Sequence, residues 1–226
     1  MRILVLAPHA DDEVLGMGGT IAKMAAEGHD VVLAILTGHG SQPNPLGPKS
    51  GWERVRLECR EASRILGVKE IHFRELPAAF LDIIPNHDVN SVVKELIQSI
   101  SPNEVYVPFM HDMHKDHGAI SYGALVACRP YLPDSRGIQR VLAYETLSET
   151  HLPPAYLVPG FQPNVFVNIT DTLDKKIEAM SKYQSQLQLD NMPRSLTALK
   201  ALAAIRGTHI GCHAAEAFVL LGEYMR

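Results

Sequence analysis

Cysteine is scarce: three occur in 226 residues, Cys59, Cys128 and Cys212, well separated and with no CxxC spacing. That excludes a disulfide framework and predicts free thiols in a reducing compartment. Long apolar runs are missing as well; nothing approaches the ~20 residues of a membrane span. The N-terminal MRILVLAP enters a strand directly, without the layout of a signal peptide. A cytoplasmic protein with no membrane partner is therefore expected. Positive charge is not in excess, since 21 Lys and Arg face 25 Asp and Glu for a formal net charge of -4. This gives no general basis for binding nucleic acid or an anionic membrane. With no internal repeat, low-complexity tract or long linker, residues 1–226 read as a single domain.

What is present is an alternation of strands and helices. Residues 2–7 read as a strand, 14–27 as a helix, and DVVLAILT (30–37) as a continuous apolar strand of the kind buried on both faces of a parallel sheet. The Pro- and Gly-rich stretch 41–51 is a loop. Trp52, Val55, Cys59, Ala62 and Leu66 then recur at helical spacing up to a stop at Gly67. EIHF is a short strand, and Asp88 caps a helix with an apolar stripe from Val89 to Ile100. EVYVPF, QRVLAYE and NVFVNIT are further strands, and DTLDKKIEAMSKYQSQL an amphipathic helix. The pattern predicts an α/β, Rossmann-like doubly wound fold, with a mostly parallel sheet and helices on both faces.

Such folds bind ligands beyond the carboxyl ends of their strands. Two unusual segments fall there, PHADDE (8–13) after the first strand and HDMHKDH (111–117) after EVYVPF. The glycines of GMGGT suggest a dinucleotide site, but the fingerprint GxGxxG would need glycine where Ile21 stands. Asp11, Asp12 and Glu13 would also repel a pyrophosphate from the helix start. Close packing of the first helix on the sheet explains these glycines better. A metal explains the acids. His9 and Asp12, three apart, and either His114 or His117, also three apart, are the ligand types of a catalytic zinc site with an open position. Asp11 could then serve as general base, the unused histidine as oxyanion stabiliser or acid, and Asp116 as partner of a histidine's second nitrogen. Glu13 braces the turn by accepting nearby donors.

PHADDE resembles the (P/A)HPDDE signature of the LmbE-like, PIG-L-type zinc-dependent N-acetylglucosaminyl deacetylases, and DMHKDH their DxHxDH segment. EASRILGV, NITDTLDKKIEAMSKYQSQ and RGTHIGCHAAEAF are similar to three further motifs in the same order, so the likeness spans nearly the whole chain. The resemblance implies zinc, or another divalent ion such as Fe²⁺, bound by His9, Asp12 and His117. It implies Asp11 as general base, His114 as electrostatic stabiliser or acid, and Asp116 orienting His114. It also implies hydrolysis of the acetamide of a small N-acetylated amino sugar, and a homo-oligomer.

Three positions depart from that pattern. Ala10 replaces the usual proline, which loosens the turn without removing a ligand. Where relatives carry a substrate-contacting arginine stands Val55, flanked by Arg54 and Arg56, which point about 200° apart on a helix. His213 replaces a tyrosine and is read as an oxyanion donor or as packing at the start of the last helix. Glu145 is a candidate for a sugar hydroxyl, and Arg206 with Glu216 for a structural ion pair near the pocket. His111 reads as a loop residue, His39 has only its position in its favour, and the 41–51 loop is a candidate lid. The competing readings are a zinc amidase acting on a non-sugar amide and a non-catalytic metal- or sugar-binding relative. Asp11 and His114 weigh against the latter, because binding alone needs neither a base nor a polariser beside an open metal.

Overall fold

The computed structural model describes residues 1–40, 44 and 46–225. Strands β1 (Arg2–Ala7), β2 (Asp30–Gly38), β3 (Glu70–Pro77), β4 (Glu104–Pro108), β5 (Arg140–Tyr144), β6 (Val165–Asn168) and β7 (Ala215–Glu223) form one sheet in the order β3-β2-β1-β4-β5-β7-β6. All pairings from β3 across to β5 are parallel, while β7 runs antiparallel to both β5 and β6. Helices α1 (Asp12–Ala26), α2 (Lys49–Leu66), α3 (Asn86–Ile100), α4 (Lys115–Ala127), α5 (Leu173–Lys182) and α6 (Leu196–Thr208) cover it.

Strand periodicity assigns the two faces. Ile3, Val5 and Ala7 of β1 enter one core with Val14 of α1, Ala62 of α2 and Met180 of α5. Leu4 and Leu6 enter the other with Val93 of α3 and Ala124 of α4. Both faces are therefore buried, which is why these strands read as unbroken apolar runs. From β1 the chain winds outward through β2 and β3, then returns to β4 on the other side of β1. The carboxyl ends of β1 and β4 thus flank the topological switch point, where a crevice opens.

The glycines of α1 do pack the helix tightly: a Cβ on Gly16 would collide with the Tyr144 ring. The helix is broken at Met17 (φ -147°, ψ 23°). Glu216 of β7 accepts the N–H groups of Gly19 (3.0 Å) and Thr20 (2.6 Å) beyond the break. Lys176 of α5 donates to the Leu15 carbonyl before it (2.9 Å) and pairs with Glu216 at 2.6 Å.

Several boundaries differ from expectation. α3 starts at Asn86 behind Pro85, so Asp88 lies inside its first turn and caps nothing. α5 ends at Lys182, and Tyr183 to Leu187 form a turn, because Tyr183 and Ser185 make contacts that continued helix would forbid. The last element is strand β7, not a helix; its Ala- and Leu-rich sequence favours helix, but hydrogen bonding to β5 and β6 on both sides overrides that propensity. Of the 41–51 loop, residues 41–43 and 45 lie outside the described residues, and 49–51 already belong to α2. Among the described residues the three cysteines are free, and no helix is long and apolar enough to cross a membrane.

Candidate active site

The two acidic and histidine-rich segments meet at the switch point. After β1 the Pro8 carbonyl accepts from Thr37 N–H (3.1 Å) and Oγ1 (2.7 Å), which ties the turn to β2. Asp11 follows at the N-cap of α1 with φ 129°, ψ -26°, a region costly for any residue with a Cβ and tolerated where the surroundings fix it. The surroundings do so here through Glu13, which accepts the Asp11 N–H at 3.1 Å and the Tyr183 hydroxyl on its other oxygen. Glu13 is thus the brace expected from the sequence. Burial pushes its carboxyl up to about 7, against the pull of those two donors.

On the other side of the crevice His114 caps α4: its Nδ1 accepts the Asp116 N–H at 3.2 Å. The His9 ring lies with its centroid 4.4 Å from that of His114 and 5.6 Å from that of His117. Its Nδ1 stands 3.2 Å from Asp12 Oδ2 and its Nε2 3.0 Å from Asp116 Oδ2. His117 is fully buried, with Nδ1 2.8 Å from Asp112 Oδ2 and Nε2 3.3 Å from Asp12 Oδ2. Although so close to a carboxylate, Nε2 makes no hydrogen bond among the described residues. His9, Asp12 and His117 each offer a ligand atom, all within 4.8 Å of one another. An orphaned buried nitrogen aimed, with a carboxylate and a second imidazole, at one point is what a cation's ligands look like. The donor set therefore fits a divalent metal.

Electrostatics follow from the crowding. Burial works against protonated imidazoles, yet bonds to Asp116 and Asp12 lift His9 to about 9. The charge of Asp12 and the Asp112 bond lift His117 to about 10 against the same burial. Burial and the neighbouring His9 charge push His114 down to about 4. Asp12 is held well below the usual carboxylate range by His117 and His9, despite its burial. Burial and the Asp12 charge hold Asp11 well above that range, with the Arg194 guanidinium pulling the other way from 3.6 Å.

A cavity of about 430 Å³ opens over His9, Asp11, Asp12, His114 and His117. The described end of the 41–51 loop (Leu46 to Pro48) and α2 wall one side, Ser185, Gln186 and Arg194 another, and Ser148 with Glu149 a third. Arg54 and Arg56 both line it, although they bracket Val55. Arg54 pairs with Glu58 (3.2 Å) and Arg56 with Glu75 (2.6 Å). Glu58 also accepts Ser185 N–H at 3.1 Å, which joins α2 to the turn after α5.

Other expectations need correcting. The Asp116 carboxylate abuts His9; its Oδ2 is 4.0 Å from His114 Nδ1, which is taken by the Asp116 backbone instead. Glu145 does not reach the cavity: Arg206 binds both its oxygens (2.8 and 2.6 Å) and His151 one of them (2.8 Å), beneath the site. Arg206 therefore pairs with Glu145, while Glu216 pairs with Lys176. His213 is exposed in the turn between α6 and β7, away from the cavity. His111 packs on Phe109 with ring centroids 5.5 Å apart, and His39 bonds its neighbour's carbonyl. Three residues at the site had been given no role. Asp112 stands inside the HDMHKDH segment, so its signal was present; Arg194 and Glu149 sit in loops with no local pattern.

Residues 4–128 match the family described as PIG-L, GlcNAc-PI de-N-acetylase. The chain is 28% identical to the diacetylchitobiose deacetylase of Thermococcus kodakarensis, over 95% of this chain and 81% of that protein. It is 24% identical to a probable N-acetyl-alpha-D-glucosaminyl L-malate deacetylase of Bacillus cereus, over 83% and 84% of the two chains. The crystal structure of a conserved protein from Thermus thermophilus superposes with a TM-score of 0.78 at 29% identity, covering 99% of this chain and 96% of that one. The match to more than half of the chain, with a cluster able to hold a metal at the switch point, decides the matter: the chain belongs to the PIG-L family, as a metal-dependent N-deacetylase.

Proposed function

We propose that this chain hydrolyses the acetamide of a small N-acetylglucosamine-containing molecule, releasing acetate and a free amine, with zinc held by His9, Asp12 and His117. The relatives' substrates, diacetylchitobiose and N-acetylglucosaminyl malate, define the class. The observation that carries the assignment is the convergence of three ligand atoms within 4.8 Å at the foot of the cavity, one of them a buried nitrogen with no hydrogen bond among the described residues. When bound there, zinc polarises the amide oxygen and makes water nucleophilic near neutral pH; Fe²⁺ suits the same ligands.

The chain's own residues do the rest. Asp11, strained at φ 129° and facing the cavity, takes the proton of the attacking water. Burial and the neighbouring Asp12 charge raise its proton affinity, which suits it to take that proton and then pass it to the departing nitrogen. His114 accepts a backbone N–H on Nδ1, which leaves its ring proton on Nε2. Burial keeps that ring neutral, so it donates a hydrogen bond to the amide oxygen as negative charge develops. Asp116 fixes His9, and Asp112 fixes His117 in the tautomer that offers Nε2. Arg54, Arg56 and Arg194 line the cavity toward the aglycone.

The test is acetate release from a panel of N-acetylglucosamine glycosides by as-purified, chelator-stripped and zinc-restored protein. Release that vanishes and returns with the metal is expected. Asp11→Asn should keep its zinc and lose activity; an active variant would remove Asp11 from the base role. No release from any glycoside by the zinc-loaded chain would turn the assignment toward a non-sugar amide.

A further inference from the structure

Three guanidinium groups line the catalytic cavity among the described residues, and a carboxylate already stands beside each. Arg56 is held from three directions. Its Nη1 pairs with Glu75 at 2.6 Å, its Nη2 donates to the Arg74 carbonyl at 2.9 Å, and its charge lies over the Phe73 ring, 5.2 Å from the centroid. Arg54 pairs through Nε with Glu58 at 3.2 Å and is 61% exposed, so water screens the charge that remains. Arg194 stands 3.6 Å from Asp11 and gives Nη1 to Gln186 at 3.4 Å. Between the two arginines of α2, Val55 offers the cavity only an isopropyl group.

We propose that this cavity selects an uncharged polyhydroxy aglycone, such as a second sugar ring, over an anionic one, and that Glu75 sets the preference through Arg56. The proposal rests on the sugar deacetylation proposed above and narrows its substrate class.

The charge balance carries the argument. An aglycone carboxylate reaches Arg56 only by displacing Glu75, and Arg194 only by drawing it from Asp11, so each ion pair gained is one lost. A divalent ion on His9, Asp12 and His117 is itself matched by Asp11 and Asp12. Glu149 adds a half-buried carboxylate to the third wall, which repels an anion placed beside it. Stripping water from an anion is costly where no surplus of positive charge receives it. A neutral sugar ring meets none of these costs. Its apolar face suits the wall built by Trp52, Leu46 and Pro48, while Glu149 and the Ser148 hydroxyl on another wall can accept from its hydroxyl groups. Trp52 is half-buried in the first turn of α2 and is the chain's single tryptophan, so its emission reports what enters.

The experiment compares two glycosides alike in size, N-acetylglucosaminyl malate and its uncharged diamide, on zinc-loaded full-length enzyme, with diacetylchitobiose as a third substrate. The diamide should show kcat/KM at least about tenfold above the malate, and diacetylchitobiose should group with the diamide. Binding without turnover is read from Trp52 fluorescence with the amine products of the matched pair. The uncharged product should change the emission with a Kd at least about tenfold below that of the anionic one. Glu75→Gln releases Arg56 and should narrow the gap at least about threefold by improving the malate, with far-UV circular dichroism reporting the fold. A malate handled as well as the diamide overturns the proposal, as does an emission that neither product alters. A gap in Glu75→Gln as wide as in wild type removes Glu75 from the selection. Acetate released equally from malate and diamide keeps the deacetylase reading and sinks the selectivity. A preference in Trp52 binding with no acetate released from any glycoside does the reverse, so the two readings fail separately.

Discussion

The Asp112 carboxylate stands 2.8 Å from Nδ1 of His117, with both side chains buried. That bond sets which nitrogen of His117 is offered to a metal and holds the ring square to it. Carboxylate partners of this kind are worth about 10–100-fold in metal affinity. Asp112→Asn should weaken zinc binding by that factor in a chelator competition, with the far-UV spectrum unchanged. An unchanged affinity would mean that packing alone orients His117.

The metal-free protein should lose stability toward alkaline pH. His9 at about 9 and His117 at about 10 lie above the ordinary histidine value of 6.5. The imidazolium–carboxylate attraction is therefore fully present below pH 6.5 and is lost as pH rises through 9 to 10. Calorimetric Tm of apoprotein should fall over that interval, while zinc-loaded protein, whose histidines carry metal in place of protons, should stay level. Zinc binding at pH 7.5 should correspondingly release about two protons, read by titration calorimetry in buffers of different ionisation enthalpy.

Arg194 lies 3.6 Å from Asp11 and is one-third exposed. A partly solvated pair of this sort contributes modestly. Arg194→Met should lower kcat about tenfold, equivalent to about 1.4 kcal/mol, and leave zinc content intact, with Arg194→Lys recovering part of the loss. A change in KM alone would make Arg194 a substrate contact only.

Lys176 and Glu216 are both 3% exposed and 2.6 Å apart. Removing one member leaves the other as a buried, uncompensated charge, a cost of about 3–5 kcal/mol. Lys176→Met should show that loss in urea denaturation. The double variant Lys176→Met, Glu216→Gln should lose less, because glutamine can still accept the N–H groups past the break in α1. Equal losses would show that the pair acts through the helix break and not through its charge.

The site was legible in the sequence wherever its residues were neighbours in the chain. His9, Asp11 and Asp12 share one turn, His114 and His117 another, and both sit where an apolar strand stops. Strand and helix periods likewise disclosed β1 to β6 and most helices. What escaped was fixed by distant partners. Asp116 meets His9 across 107 positions, so a local reading paired it with the histidine nearer in sequence. Glu145 spends both oxygens on Arg206 and His151, a commitment that no local pattern announces. β7 has helix-favouring composition and becomes a strand only because two others flank it.

That strand has a bearing on biosynthesis. Among the described residues β7 follows every other strand, yet it lies between β5 and β6, and β6 has no other neighbour in the sheet. During translation the candidate metal ligands emerge early, while the sheet keeps an open edge at β5 until residues 215–223 leave the ribosome. The same late arrival delivers Glu216 to α1, so the helix that carries Asp12 is completed by the tail of the chain. Nascent or truncated chains would expose an unpaired strand edge, the usual starting point for aggregation.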